Sequence, residues 1–313
     1  MTASKGGLVR RHPFAIGTIT ITIIILFGLG VAASVTSPPM LLSILDGAMG
    51  GGIGVEKAGG AIAFGTHGQR LDVWRPTRRR QQPLPVLIFW YGGGWVKGTR
   101  EAYAFAARAY AKQGFVVVVP DYRKVPGVRF PSFLEDGAQA VRWVRDHVGG
   151  FGGDAGHIAV AGHSAGAYTV AMLALDPRWL RAQGIDPGII KAAVALCGPY
   201  DFYPFTDRRA IDAMLGAPDP KLTQPIHFAR ADAAPLLLVS AGDDAEVKAH
   251  NANNLAARLR ALHGPVTHID YPGLSHENVA MALSVPFRGK APVLADSVRF
   301  LRNALARTQG VKE

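Results

Sequence analysis

The sequence predicts an α/β fold whose central sheet is mostly parallel, has about eight strands and carries helices on both faces. From about residue 60 onward, short apolar runs rich in β-branched residues alternate with segments of helical periodicity. Alternation of this kind is typical of crossover units, in which a helix connects two parallel strands. Several of the runs are apolar at every position, as expected for strands that are covered on both faces.

The individual elements follow from these patterns in chain order. Strands are predicted at Ala61–Phe64, Arg70–Trp74, Val86–Trp90, Phe115–Val119, Ile158–Ala161, Ala193–Leu196, Leu236–Val239 and Val266–Tyr271. Helices are predicted at Glu101–Gln113, Leu134–His147, Ala165–Leu175, Val247–Leu262 and Ala291–Ala306. The first two strands are expected to pair as an antiparallel hairpin, and the later connections to be right-handed. Residues 199–230 are the least regular stretch, where a small cap insertion is one of two readings.

The amino-acid composition excludes some kinds of protein and some kinds of partner. Hydrophobic residues make up 49% of the chain and charged residues 18%, which is enough for a buried core. The net charge of +11 comes without a recognisable nucleic-acid-binding motif, so we expect no nucleic-acid partner. Cys197 is the only cysteine, which excludes an internal disulfide, and its apolar surroundings predict an inert buried thiol.

The N-terminal part predicts a membrane segment. Residues 1–45 are interpreted as a basic cytoplasmic tail followed by a signal anchor or signal peptide. Phe14–Val35 contains 22 uncharged residues, about 33 Å as a helix, which matches a bilayer core of about 30 Å. The preceding basic residues favour an extracytoplasmic catalytic domain. Cleavage near Ala32–Ser34 and secretion is the alternative. Residues 46–60 are interpreted as a Gly-rich linker, and residues 61–313 as the catalytic domain.

A candidate nucleophile lies between a predicted strand and a predicted helix. Gly162-His163-Ser164-Ala165-Gly166 matches the pattern G-x-S-x-G, which is weak by itself but informative in this strand–turn–helix context. A sharp turn there would lift the Ser164 hydroxyl out of the sheet, and side chains at the two glycines would collide with neighbouring backbone. The following helix would direct its positive N-terminal end toward the site. His163 is expected to be structural.

A glycine-rich loop follows the apolar strand that ends at Trp90. Tyr91-Gly92-Gly93-Gly94-Trp95 would bring main-chain N–H groups close to a substrate. Such donors stabilise the oxyanion that forms when an ester carbonyl is attacked. The predicted oxyanion hole consists of the N–H groups of Gly93, Gly94 and Ala165.

The base and its acid are expected after two later strands. His276 follows the last predicted strand, and Asp243-Asp244 follow the strand before it. The carboxyl ends of parallel strands meet at one edge of a sheet, where the chemistry of such folds is placed. His276 would take the proton of Ser164, and the aspartate would hold the imidazole. Asp244 is preferred as the acid, because Asp243 is better placed to shape the turn, but the choice stays open.

Together these motifs resemble bacterial carboxylesterases of the α/β-hydrolase superfamily, nearest to the hormone-sensitive-lipase-like and feruloyl-esterase-like enzymes. The resemblance extends from about Gln69 to Leu301. It rests on Arg70–Pro76, Gly92–Trp95, Pro120–Arg123, Gly152–Asp154, the Ser164 turn, Asp244–Val247 and Tyr271–Gly273. The resemblance implies the α/β-hydrolase fold, hydrolysis of short acyl or aryl esters, and no cofactor. Two departures are the tyrosine at Tyr91, where the family usually has histidine, and a shorter acid turn.

The expected substrate is a small-molecule ester, with Trp95, Tyr200 and Phe202 as candidates for its pocket. Tyr203 and Phe205 are further aromatic candidates. An amide-cleaving acyl hydrolase using the same triad is the second hypothesis, and a non-catalytic binding module the third. No H-E-x-x-H or paired-cysteine spacing occurs, so no metal site is expected. The oligomeric state stays open.

Overall fold

The computed structural model describes residues 37–78 and 80–309 of the chain. Within these residues, eight strands form one sheet: β1 Val55–Phe64, β2 Gln69–Pro76, β3 Leu84–Trp90, β4 Val116–Pro120, β5 Gly153–His163, β6 Ile190–Leu196, β7 Leu236–Ala241 and β8 Val266–Tyr271. Their order across the sheet is β1-β2-β4-β3-β5-β6-β7-β8. β2 pairs antiparallel with both β1 and β4, and the remaining pairs are parallel. All eight predicted strands and the antiparallel hairpin are confirmed.

Helices cover both faces of this sheet. The α-helices of the described part are α1 Pro38–Asp46, α2 Ala104–Lys112, α3 Ser132–His147, α4 Ala165–Leu175, α5 Arg178–Arg181, α6 Arg208–Met214, α7 His250–Ala261, α8 His276–Met281 and α9 Val293–Gln309. Short 3₁₀ helices occur at Val148–Phe151, Pro187–Ile189, Pro220–Thr223, Pro225–Phe228 and Val285–Lys290. In the strand order, the connection β3–α2–β4 moves toward β1, whereas the connection β4–α3–β5 moves toward β8. Right-handed crossovers therefore put α2 and α3 on opposite faces.

The packing agrees with this assignment. α2 contacts α1 and α9, whereas α3 contacts α4. The middle strands are buried on both faces, since Val86–Trp90 and Val116–Val119 have no more than about 1% exposure. Apolar burial of this extent is the main stabilising contribution to such a fold. It also fixes the carboxyl ends of β3, β5, β7 and β8 along one edge, where the candidate residues lie.

The stretch predicted as a linker is structured. Helix α1 continues into a turn at Gly47–Gly51, and β1 begins at Val55, six residues before its predicted start. β1 has register shifts between Lys57 and Ile62, so it is a bulged strand whose glycines hide the usual alternation. The predicted linker at residues 46–60 is therefore wrong as a description of the backbone, because pairing with β2 orders it.

The predicted membrane segment Phe14–Val35 lies outside the described residues. Among residues 37–309, no helix is both long enough and apolar enough to cross a bilayer.

The irregular stretch between β6 and β7 forms a small cap. It contains α6 and two short 3₁₀ helices, and its segment from Pro199 to Ala210 lies over the carboxyl edge of the sheet beside Ser164. A hydrogen bond from Phe130 N to the Ala213 carbonyl oxygen (2.8 Å) connects the cap to the loop before α3. The reading of a small cap insertion is thus confirmed.

Candidate active site

Ser164 occupies the tight turn between β5 and α4. Its backbone has φ +56° and ψ −122°, a region that a residue with a Cβ rarely adopts. The flanking glycines permit the turn: a Cβ on Gly162 would lie 2.5 Å from the Gly166 oxygen, and one on Gly166 would lie 2.1 Å from the Trp90 oxygen. The strained turn presents the half-buried serine at the start of α4, as the motif predicts.

His276 and Asp244 form a buried hydrogen-bonded pair. The Nδ1 atom of His276 lies 2.7 Å from Asp244 Oδ2, and both side chains are almost completely buried. Asp244 Oδ1 accepts hydrogen bonds from the N–H groups of Glu246 (2.9 Å) and Val247 (2.7 Å). Burial by itself would raise the pKa of Asp244, but the bond to His276 and these N–H donors hold that pKa below its ordinary value. A carboxylate in this position orients an imidazole and stabilises its charge.

The alternative acid, Asp243, is exposed to solvent. Its main-chain N–H donates to the Leu274 carbonyl oxygen at 3.0 Å, which ties the acid turn to the loop before His276. The structure therefore brings Asp244, rather than Asp243, to the imidazole. Asp243 shapes the turn, as its position in the sequence suggests.

The nucleophile turn meets the base through His163, and the serine and the imidazole are not directly hydrogen-bonded. No described residue forms a hydrogen bond with the Ser164 hydroxyl. The ring of His163, the residue before Ser164, packs against the His276 ring with centroids 4.7 Å apart. Hydrogen bonds between nucleophile and base are often long in unliganded enzymes and shorten when substrate binds.

His163 holds the main chain at His276. Its Nε2 atom lies 3.0 Å from the His276 carbonyl oxygen, and its Nδ1 atom lies 3.1 Å from the Tyr103 hydroxyl. Because a carbonyl oxygen can only accept, Nε2 carries the hydrogen and Nδ1 accepts from Tyr103. Burial, followed by the nearby charge of His276, lowers the pKa of His163 to about 3. The ring is therefore neutral, and it links the turn before Ser164 to the loop of the base.

The glycine-rich loop borders the nucleophile. Gly94 and Ala165 line the same cavity as Ser164, while Gly93 precedes them in a turn whose carbonyl accepts from the N–H groups of Val96 and Lys97. Gly93 has φ +140°, and a Cβ there would lie 2.2 Å from the Lys97 oxygen. Only glycine fits this turn, which exposes main-chain N–H groups at the start of α4.

Tyr91 supports this loop in place of the histidine that is usual in the family. Its ring is fully buried and stacks on Tyr122 with centroids 4.8 Å apart, and its hydroxyl donates to Asp121 Oδ1 at 2.8 Å. Arg100 binds the other oxygen of Asp121 (2.5 Å) and also Asp72 (3.0 Å). The loop is thus held by a network of charged hydrogen bonds. No motif in the sequence indicates that Arg100 takes part in it.

A cavity of about 350 Å³ opens at Ser164. Trp95 and Phe202 line it with their rings stacked, the centroids 6.2 Å apart and the planes at 19°. Tyr203 adds a half-exposed ring at the rim. Flat aromatic walls of this kind suit an apolar acyl or aryl group.

Tyr200 does not reach the cavity, so its predicted role as a pocket residue is wrong. Its side chain is fully buried, and its hydroxyl accepts from the Gly198 N–H at 3.1 Å. Its own N–H donates to Asn251 Oδ1 at 2.8 Å. The chain folds back after β6, which turns this ring behind the cavity wall.

Comparison with known proteins agrees with this site. The sequence model of the BD-FAE family matches residues 71–259, more than half of the chain. The chain belongs to the BD-FAE family. Esterase LipC of Mycobacterium tuberculosis is 34% identical over 230 residues, which cover 66% of this chain and 56% of LipC. The isoprenylcysteine alpha-carbonyl methylesterase ICME of Arabidopsis thaliana is 26% identical over 250 residues, covering 73% of this chain and 58% of ICME. The predicted resemblance to feruloyl-esterase-like enzymes is confirmed.

Solved structures support the α/β-hydrolase fold. An esterase from Pyrobaculum calidifontis superposes with a TM-score of 0.69 at 23% identity, covering 88% of this chain and 94% of the esterase. A truncated carbohydrate esterase from gut microbiota gives a TM-score of 0.68 at 19% identity, covering 80% and 96%. This BD-FAE family member spans little more than half the length of the curated relatives LipC and LipM.

The cap and the acid loop of this BD-FAE family member are joined by an ion pair at the cavity rim. Arg209, at the start of α6, binds Glu246 Oε2 and Asp207 Oδ2, each at 3.1 Å. A Cβ on Gly94 would lie 2.9 Å from Arg209 Cδ, so this side chain covers the glycine loop. The sequence does not indicate this contact, because Arg209 and Glu246 are 37 residues apart and Arg209 belongs to no motif.

Cys197 lies beside the acid and the base. Ligand atoms of Cys197, Asp244 and His276 are all within 4.8 Å of one another, the one such group in the described part that could hold a metal ion. Burial, followed by the charge of Asp244, raises the pKa of the Cys197 thiol well above its ordinary value. A protonated thiol that donates to Asp244, and a hydrogen bond between Asp244 and His276, account for the cluster without a metal. The predicted buried thiol is confirmed, and its contact with Asp244 is new.

Proposed function

We propose that this BD-FAE family member is a serine carboxylesterase. The observation that carries the proposal is the pair His276–Asp244 at 2.7 Å, which His163 joins to the strained strand-to-helix turn of Ser164. An aspartate that holds one imidazole nitrogen leaves the other nitrogen free to act as a base. The esterases among its relatives support the same activity.

The proposed reaction passes through an acyl-enzyme. The Ser164 oxygen attacks the ester carbonyl carbon while His276 Nε2 takes the hydroxyl proton, and Asp244 stabilises the imidazolium. The negative oxygen is stabilised by the N–H groups of Gly93, Gly94 and Ala165 and by the N-terminal end of α4. The imidazolium then returns its proton to the departing alcohol. A water molecule, deprotonated by the same imidazole, attacks the acyl carbon; the bond to Ser164 then breaks, the imidazolium returns the proton to the serine oxygen, and the carboxylic acid leaves.

The proposed substrates are small esters with a short acyl or aryl group. The supporting observation is the cavity of about 350 Å³ with Trp95 and Phe202 on its wall, which can bury a ring or a short chain. No cofactor takes part in this scheme. The names of the relatives describe ester hydrolysis, so they do not favour the two alternatives, amide cleavage and a non-catalytic binding module.

A graded panel of aryl and alkyl esters, with matched amides, tests the proposal. We expect esters to be cleaved faster than amides, and Ser164→Ala to reduce kcat/KM by about 10⁴-fold or more. Equal rates for wild type and Ser164→Ala would refute the assigned nucleophile. Faster turnover of amides would favour the second hypothesis.

We also propose that residues 1–45 attach the protein to a membrane, with the catalytic domain on the extracytoplasmic side. The support is the uncharged segment Phe14–Val35 and the basic residues Lys5, Arg10 and Arg11 before it. Cleavage and secretion remain the alternative. Protease treatment of intact spheroplasts should digest the catalytic domain, and alkaline washing should leave the full-length chain in the membrane fraction. A full-length chain recovered in the soluble fraction would refute this proposal.

A further inference from the structure

Helix α1 and the turn after it bury two polar side chains and expose several large apolar ones, unlike an ordinary surface helix. The side toward the domain carries polar groups: Ser43 Oγ donates to the Ala102 oxygen (2.8 Å), and Asp46 binds Arg108 (2.8 Å). Asp46 also accepts a hydrogen bond from the N–H of Val285 at 2.8 Å. These partners hold the segment firmly against α2, together with buried Leu42.

The side facing away from the domain is apolar. Four large apolar side chains of this segment are exposed: Ile44 (60%), Leu45 (43%), Met49 (52%) and Ile53 (76%). A surface helix normally directs such residues inward and polar residues outward. Among the described residues, the other exposed large apolar side chains are Tyr203, Ile211 and Leu215 of the cap. Four exposed large apolar side chains within ten positions indicate a surface that a partner covers.

Charge identifies the partner as lipid. From Pro13 to Gly54 the only charged residue is Asp46, whose side chain is 1% exposed and paired with Arg108. The patch is therefore continuous in sequence with the uncharged segment Phe14–Val35. Two cations border the segment: Arg108, which is paired with Asp46, and Lys112, whose Nζ donates to the Gly50 oxygen at 2.6 Å. An apolar surface bordered by a lysine suits the boundary between acyl chains and anionic headgroups.

The direction of α1 sets the orientation of the domain. Ser43 contacts Ala102 and Phe105 at the start of α2, whereas Gly50 contacts Lys112 at its end. α2 begins at the carboxyl edge of the sheet, because it follows β3. The part of α1 around Ser43 therefore lies toward the same edge of the sheet as Ser164.

We propose that the outer side of residues 44–53 lies on the surface of a phospholipid bilayer, with the catalytic edge beside that surface. This inference rests on the proposed membrane attachment and is independent of the esterase activity. Ile44, Leu45, Met49 and Ile53 enter the region between headgroups and acyl chains, about 5–10 Å deep. The site then opens next to the membrane, where esters dissolved in lipid are concentrated.

Fluorescence quenching tests the contact. The full-length chain, reconstituted in phosphatidylcholine–phosphatidylglycerol vesicles, carries a polarity-sensitive dye on Ile53→Cys. The matched control carries the same dye on Asp232→Cys, an exposed position before β7. In the strand order, β7 lies on the far side of the sheet from β1. Unsubstituted chain should take up no dye, since Cys197 is buried. Brominated lipids should remove most of the emission at position 53 and leave that at position 232 unchanged.

Each other outcome overturns the proposal. A dye at position 53 that emits in a polar environment shows that the patch faces water. Emission from an apolar environment without quenching by brominated lipid shows that another part of the chain, or a second copy, covers the patch. Failure of the chain to sediment with vesicles refutes both the attachment and the contact. Ester hydrolysis measured on the same preparations reports separately on the proposed catalytic function.

Discussion

The ring of His163 connects the nucleophile turn to the base: its Nε2–H donates to the main-chain oxygen of His276, 3.0 Å away. The imidazole of His276 is thus fixed from two sides, by Asp244 at its Nδ1 atom and by His163 at its backbone. Tyr103 completes the arrangement by donating to His163 Nδ1. Packing and hydrogen bonds that fix a catalytic group reduce the reorganisation needed in the transition state.

His163→Leu is expected to lower kcat about tenfold, because one buried hydrogen bond that positions the base is lost. KM should stay within about twofold, since His163 is buried and does not line the cavity. His163→Gln places an amide N–H where Nε2–H stood, and should restore most of kcat. Steady-state kinetics of wild type, His163→Leu and His163→Gln measures these differences in kcat and KM. A glutamine variant as slow as the leucine variant would show that the ring acts through its shape alone.

The same histidine should make the folded state sensitive to acid. The unfolded chain takes up a proton on His163 near its ordinary pKa of 6.5, but the folded chain does so only near 3. Its contribution to stability is therefore complete above pH 6.5 and is lost progressively as the pH falls toward 3. Urea denaturation at pH about 7.5 and about 4.5 should show a smaller loss for His163→Gln than for wild type. Equal losses would mean that His163 is protonated in the folded protein.

Single substitutions of Asp243 and Asp244 should show which of the two aspartates is the acid of the triad. Asp244→Asn is expected to reduce kcat by about 10³–10⁴-fold, because the uncharged amide favours the wrong imidazole tautomer. Asp243→Asn, on an exposed side chain one residue away, should change kcat by less than about threefold. Comparable losses in both variants, measured with one aryl ester, would contradict the assignment of Asp244.

Tyr91→Phe should weaken the glycine-rich loop without altering the triad. The variant removes the hydroxyl that donates to Asp121, and we expect kcat to fall about five- to tenfold with little change in KM. The hydrogen bond between His276 and Asp244 is untouched, so the pH profile of kcat/KM should keep its shape. A variant that is less stable but has an unchanged kcat would show that Tyr91 only supports the fold.

The role of the cavity wall in substrate binding can be tested by substituting Phe202, which lines the cavity, and Tyr200, which does not. Phe202→Ala should raise KM for aryl esters about tenfold, because the ring that stacks on Trp95 is lost. Tyr200→Phe should leave KM unchanged and lower the free energy of unfolding by about 1 kcal/mol, because its hydroxyl accepts a buried hydrogen bond. A change of KM in the Tyr200 variant would show that its ring reaches the substrate.

Local patterns in the sequence determined the sheet, most helices and the identity of the reactive groups. Buried strands leave apolar runs, and the Ser164 turn, the glycine-rich loop and the residues after β7 and β8 follow those runs directly. Each of these signals is contained within about ten residues, so no knowledge of distant contacts is required. The Gly-rich tract Gly47–Gly54 predicts a linker, and the start of β1 after it is hidden because a bulged strand lacks regular alternation.

The tertiary structure alone decided which side chains touch. It brought Asp244, not Asp243, to His276, turned Tyr200 behind the cavity wall, and placed Arg209 and Glu246 across the rim. It also joined His163 to His276, which are 113 residues apart. These contacts depend on how loops from different strands pack at one edge, and the direction of a side chain in a loop is set by that packing rather than by local periodicity.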